Sequence, residues 1–300
     1  MPDDRVAYTV AVPPNDSSFE LSADLPLRAA IVQVFRQELE TAVALGQGTA
    51  QPPALAVRRF RRALRRARAI VRLLRPALPK PSAVALLRVL TAVARSTGAL
   101  RDAEILPNAL AALPKKSRRQ LVQLQAILTA QRDEMHQSSE AHLRMGEGAP
   151  HLAELANGLA TALPADLSHA QLALGMQQTY TRARKGRKAV KKHPSPVMIH
   201  DWRKRCKDLR HQAELLAADG LPQQQWLAAL TDLTRRLGQV TDLLALKQWS
   251  RQNSPDGDAA KLLHRALKQQ LAAEFEMSLA LGGRIFKRKA VDQIAHLMTE

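Results

Sequence analysis

Cysteine, aromatic residues and acidic residues are scarce in this 300-residue chain. It holds one cysteine, Cys206, with 3% aromatics and 27 Asp+Glu against 45 Lys+Arg. A single thiol excludes an intrachain disulfide and any zinc site built on several cysteines. Few aromatics leave little material for sheets or for base-stacking platforms. No run of 18 apolar residues occurs, so no membrane span is expected. The start, Met1-Pro2-Asp3-Asp4, lacks the basic residues and apolar run of a secretory signal, and the cytoplasm is the expected compartment. What is present is a helical palette: Ala, Leu, Arg and Gln dominate, and 46% of residues are hydrophobic, enough for a packed core. The net charge of +18, with a pI near 10.8, far exceeds what solubility requires. It points to a polyanionic partner: nucleic acid, an anionic membrane surface or a polyphosphate.

Prolines and glycines cut the chain into pieces of helical length. After an irregular lead-in ending near Ser22, a plausible N-cap, the pattern predicts helices over about 24–45, 52–75 and 82–97. A short helix to about 113 and a long one over 115–145 follow. Gly146, Gly148 and Pro150 then mark the best internal boundary. Beyond it, helices are predicted over 151–163, 168–192, 197–218, 222–237, 241–252 and 256–281. Only Val6–Val12 alternates like a strand.

Residues 41–101 contain 13 basic residues and no Asp or Glu. Within AVRRFRRALRRARAIVRLLR, the residues Val57, Phe60, Leu64, Ala67, Val71 and Leu74 recur at steps of three and four, an apolar stripe that should face the core. One residue later, Arg58, Arg61, Arg65, Arg68 and Arg72 form a second stripe beside it, widened by Arg59, Arg62 and Arg66. Like charges at these spacings each cost a helix about 0.2–0.5 kcal/mol, and no nearby carboxylate relieves them. A row of guanidinium forks suits a string of phosphates. A solvated face would instead mix charge signs. Carboxylates on distant helices neutralise part of the row, but 27 acids cannot neutralise 45 bases.

The pattern recurs in IHDWRKRCKDLRHQAELL. Ile199, Trp202, Cys206, Leu209, Ala213 and Leu216 repeat the apolar spacing, and His200, Arg203, Lys207 and Arg210 follow one residue later, offset by 142 from the first row. Gly98-Ala-Leu-Arg101-Asp102 is echoed by Gly238-Gln-Val-Thr241-Asp242 at an offset of 140. Two matched features in one order argue for an internal duplication, each half a helical bundle. Chance matching in so basic a chain is the competing explanation. A duplication predicts that both basic helices converge on one groove.

At these residues the sequence resembles the CHAD family, a histidine-named α-helical domain. The resemblance runs from about residue 22 to 281. It rests on VRRFRRALRRARAIVRLLRP, TGALRDAEIL, YTRARKGRKAV, IHDWRKRCKDLRHQAEL and LTRRLGQVTDLLAL. It implies an all-α fold of two antiparallel four-helix bundles related by a pseudo-two-fold internal duplication. The implied halves are 23–148 and 149–283, between the lead-in 1–22 and a basic tail 284–300. It also implies non-enzymatic binding of inorganic polyphosphate, with association with polyphosphate granules. By position it assigns polyphosphate contact to Arg61, Arg65, Arg68 and Arg72, with Arg62 beside them, and to His200, Arg203, Lys207 and Arg210. Arg184 and Arg187 match a basic helix that precedes the second row. Arg58 stands where the family pattern has a histidine, which puts in doubt any mechanism that needs a symmetric histidine pair. His211 stands where the pattern has a tyrosine, and both Arg58 and His211 are counted among the expected polyphosphate contacts.

The remaining candidates have plainer readings. Arg182, Arg184, Lys185, Arg187, Lys188, Lys191 and Lys192 either extend an anion groove or decorate a helix end, where cations complement the dipole. Asp102 and Asp242 are expected to cap helices or orient arginines. His200 is either an interfacial histidine or a charge switch that adds affinity below about pH 6.5. Cys206 lies on the apolar stripe as a core residue. No cofactor is expected, and no histidines show metal-ligand spacing. No Walker loop, nucleophile elbow or triphosphatase glutamate motif is present; Glu38-Leu-Glu40 and Glu274-Phe-Glu276 lack the following lysine. Nucleic acid remains the rival partner, since arginine helices bind its phosphates without sequence preference. A membrane-surface helix would need its apolar stripe exposed, whereas here the core requires it.

Overall fold

A computed structural model describes residues 19–48, 52–137, 145–216, 224–253 and 257–298, and all regular structure among them is helical. The helices are α1 (Leu27–Gly46), α2 (Pro53–Leu73), α3 (Lys80–Ser96), α4 (Gly98–Ala111), α5 (Lys115–Gln120) and α6 (Val122–Gln137). They continue with α7 (Ala149–Ala153), α8 (Leu155–Ala162), α9 (His169–Lys192), α10 (Pro196–Leu215), α11 (Gln224–Gln252), α12 (Asp258–Ile285) and α13 (Ala290–Met298). Val6–Val12 lies outside the described residues, as do 138–144 of the predicted long helix.

Local chemistry sets most boundaries. Proline at the first turn opens α2, α3 and α10, where its missing N–H costs nothing. A capping box joins Ser168 and Gln171 at the start of α9. Ser195 Oγ accepts from the Met198 N–H at the start of α10. Ser22 does not cap α1. Its hydroxyl accepts from the Asp24 N–H in a turn, and the helix begins after Pro26.

Four expectations change. The helix predicted over 115–145 breaks at Leu121, which leaves the helical path to bury its side chain beside Leu110 and Leu128. The stretch predicted as 151–163 is two short helices meeting at Glu154. The two helices predicted at 222–237 and 241–252 are one, α11, which runs through Gly238. Glycine inside a helix costs only about 1 kcal/mol, and the buried Leu237 and Val240 on either side outweigh it. Beyond residue 283, α12 continues to Ile285 and α13 follows. There Ile294 and Leu297 are buried, so the segment predicted as a tail packs into the body.

Both apolar stripes are buried from end to end: Val57 through Leu74 on α2 and Ile199 through Leu216 on α10. α2 packs against α1, α3 and α10, and α10 against α9 and α11. One core cluster passes through all of these helices. A second lies between α4–α6 and α11–α12, around Leu110, Leu243 and Leu267. The short helices α7 and α8, just after the glycine-proline break, pack on α1 and α3. Arg28 of α1 fastens α8 there by donating to the carbonyls of Ala160 and Leu163. Because the stripes face the core, the arginines beside them emerge at the rim where α2, α4 and α10 meet. No single helix among the described residues is long and apolar enough to cross a membrane.

Candidate anion-binding site

A cleft of about 470 Å³ opens at that rim. From α2 it receives Arg61, Arg65, Arg68 and Arg72, from α4 Arg101, and from α10 His200, Arg203, Lys207 and His211. The two basic rows therefore share one cavity. Sequence reasoning missed further lining residues: Arg95, Arg101, Lys204, Arg205 and Asp208. Arg101 stood in the repeated Gly98–Asp102 motif. Lys204 and Arg205 were passed over because a three-four spacing selects a single row. In all, ten Lys and Arg side chains line the cleft against three carboxylates, Asp102, Asp201 and Asp208.

Some of these cations are fixed by the protein itself. Arg61 donates to the Ala94 carbonyl at 2.7 Å and to Thr97 Oγ1 at 2.8 Å, fastening the middle of α2 to the end of α3. Arg72 pairs with the buried Asp208 at 2.7 Å, and Arg205 approaches the same carboxylate at 3.9 Å. Others have little to hold. Arg65 donates through Nε to the Arg61 carbonyl of its own helix at 2.9 Å. The Nε groups of Arg68 and Arg203 are buried without a hydrogen-bond partner.

Burial first, and like-charged neighbours second, weaken the hold of these cations on their protons. Burial, then the guanidinium groups of Arg203, Arg61, Arg68 and Arg101, push Arg65 down to about 9. Burial and neighbouring arginines bring Arg61 and Arg68 down to about 10. Lys207 falls well below its ordinary value through burial and then Arg203, Arg65, Arg210 and Arg101. Burial pushes the Asp208 carboxyl above the usual carboxylate range, opposed by Arg72, Arg205 and Arg68. Gathering these cations costs desolvation first and mutual repulsion second, and a bound anion would offset both.

The histidines differ from expectation. Burial and then Lys204, Arg203 and Arg101 lower His200 below its ordinary value, so in the empty protein its charging moves below the pH 6.5 expected of a free imidazole. His211 is buried, and burial brings it down to about 3; its Nδ1–H donates to Glu214 at 2.8 Å. It is a neutral wall residue rather than a cationic contact. Asp102 and Asp242 cap nothing. Asp102 sits inside α4 beside Arg101 at 3.4 Å, and Asp242 inside α11 faces Arg203, Arg101 and Lys207. Cys206 is fully buried.

Five expected residues lie outside the cleft lining. Arg58 lines an adjoining cavity of about 170 Å³ with Arg61, Arg65, Arg101 and Arg203, and approaches Glu104 at 3.9 Å. Arg62 is exposed. Arg210 pairs with Glu214 at 2.9 Å behind the cleft. Arg184 and Arg187 face the end of α12. Their Nε groups donate to the carbonyls of Phe286 and Leu279, both at 3.1 Å, while Tyr180 donates to Ile285 at 3.2 Å and to Arg288 at 3.1 Å. Gly283 makes room for this, because a Cβ there would lie 2.7 Å from an Arg187 nitrogen. Phe286 lies just past the last turn of α12, where carbonyls lack intrahelical donors, whereas Leu279 lies within the helix and its carbonyl takes Arg187 as an additional donor.

The described residues thus form an all-helical body whose cation-lined cleft is fed by two helices of like spacing. The sequence matches the CHAD domain over residues 33–251, and the chain belongs to that family. The crystal structure of the CHAD domain from the plant Ricinus communis is similar in fold, with a TM-score of 0.60 at 20% identity over 94% of each chain. No curated protein matches the chain.

Proposed function

We propose that this protein binds inorganic polyphosphate without transforming it, and that its site of action is the polyphosphate granule of the cytoplasm. The observation that carries this reading is the ten-to-three excess of cations over carboxylates in one concave cleft. A phosphate chain presents a continuous string of acceptor oxygens to the rows of guanidinium forks, and its binding releases counterions. The cleft lining has no Phe, Tyr or Trp on which successive bases stack, which weighs against single-stranded nucleic acid.

We also propose that the fold arose by duplication into two antiparallel four-helix bundles related by a pseudo-two-fold. The reading is supported by direct packing of α2 on α10, where Gln212 Nε2 donates to the Ala69 carbonyl at 3.1 Å. It is further supported by the meeting of both repeated Gly-Asp motifs near Arg203, through Arg101 and Asp242.

The test is competition at physiological salt. Labelled long-chain polyphosphate is challenged with single- and double-stranded DNA and RNA matched for phosphate. Polyphosphate is expected to survive a large excess of either. Displacement at equal phosphate would make the cleft a generic polyanion surface and favour nucleic acid.

A further inference from the structure

A second cavity adjoins the cationic cleft and has different chemistry. It measures about 390 Å³ and shares Arg101, Asp102 and His200 with the cleft. Beyond those residues the lining changes. Along one face of α4 the cationic turn at Arg101 is followed by Ile105 and Leu106. Along the facing side of α11, Thr241 and Ala245 are followed by Gln248, Trp249 and Gln252. Trp249 and Leu106 also pack on the second core cluster, which holds the indole in place at the cavity wall. Of the three tryptophans in the chain, Trp202 is fully buried, whereas Trp249 lines this opening.

Such a lining is poor for phosphate. Its cation, Arg101, is already beside Asp102 at 3.4 Å, and His200 is held towards its neutral form. It does suit a flat aromatic ring. An indole and branched aliphatic chains offer stacking and apolar contact, and Asp102, Gln248 and Gln252 offer both acceptors and donors for the edge of a base. The volume lies within the roughly 300–1,000 Å³ range of small-molecule sites. The junction at Arg101 and His200 sets this ring site against the end of the phosphate site.

We propose that the α4–α11 cavity is a base subsite, so that the protein binds nucleoside polyphosphates with their phosphates in the cleft and their base against Trp249. This rests on the anion-binding reading of the cleft. It adds that one end of the ligand is read by shape and polarity, not by charge.

Affinities of the full chain for tripolyphosphate, ATP, GTP and long-chain polyphosphate would be measured by calorimetry in one metal-free buffer. A nucleoside triphosphate carries less charge than tripolyphosphate, so electrostatics alone makes it the weaker ligand. The subsite predicts the reverse, with ATP or GTP about tenfold tighter. Trp249→Leu, and separately Ala245→Phe, which fills the cavity, should each remove that gain while leaving both polyphosphates within about twofold of the parent. Nucleotides that bind no more tightly than tripolyphosphate overturn the subsite, as does a gain that survives both variants. In either case tight binding of long-chain polyphosphate leaves the proposed function standing. If no polyphosphate binds, both readings fall together.

Discussion

At the scale of single residues, Arg65 separates binding from stability. It makes one hydrogen bond, to its own helix, and is brought down to about 9 by burial and four surrounding arginines. Replacing it with an apolar side chain of similar length removes a half-buried, repelled charge. Arg65→Met is therefore expected to stabilise the empty protein by about 1–3 kcal/mol in denaturant titrations. The same change should weaken polyphosphate binding by about tenfold or more. Arg61 is not equivalent, because its bonds to Ala94 and Thr97 tie α2 to α3 and its loss costs stability. His211 gives a pH prediction. An unfolded histidine takes up its proton near pH 6.5, whereas burial delays His211 in the folded protein to about 3. Between those values the unfolded state binds more protons, so stability falls as pH falls. Glu38 acts in the opposite sense: burial, against Arg66, raises its carboxyl to about 7, which favours the folded state as pH drops toward 4.5. His211→Gln should be less stable near pH 7 but should lose less on acidification to pH 4, as followed by thermal melts across that range.

At the scale of elements, helix crossings constrain the sequence more than helix propensity does. α9 crosses α2 at Gly175, where an added Cβ would overlap the Leu73 carbonyl. Because that obstacle is backbone, the two helices must separate to relieve it. Gly175→Ala is expected to cost about 2–4 kcal/mol despite alanine's better helix propensity, with a lowered denaturant midpoint as the readout. The same crossing carries the end of α2, with Arg72, toward Asp208 on α10. Downstream on α9, Arg184 and Arg187 act on the end of α12. The basic run is thus divided: Arg184 and Arg187 donate to carbonyls of and just after α12, while Arg182 faces Arg75, Arg205 and Arg72 beside the cleft.

At the scale of the whole molecule, charge is sorted by place. Glu38, Glu214 and Glu274 are paired with Arg66, Arg210 and Arg236 outside the cleft lining. Cations of the cleft are left in excess. Binding through them should show log affinity falling linearly with log salt, with a slope of about −3 or steeper if most of the central cations are engaged. Fluorescence titrations between low and physiological salt measure this slope, and a flat response would exclude the cleft as an electrostatic receptor.

The helical class, the two buried stripes and the arginine row beside the first were legible in sequence. Periodicity at three and four residues is a local property, and a face that must be buried fixes the direction of the face next to it. The family was legible for the same reason: its anchors are contiguous runs on single helices. Breaks decided by packing were not legible, such as Leu121 leaving its helix or α11 running through Gly238, because distant side chains outweigh local propensity there. Nor did the sequence tell which cations serve the cleft. Arg68 and Arg187 are alike in one dimension, yet one faces an open cavity with its Nε unpartnered and the other donates to the Leu279 carbonyl of α12. That difference arises only when helices far apart in sequence set the donors, acceptors and empty space around each guanidinium group.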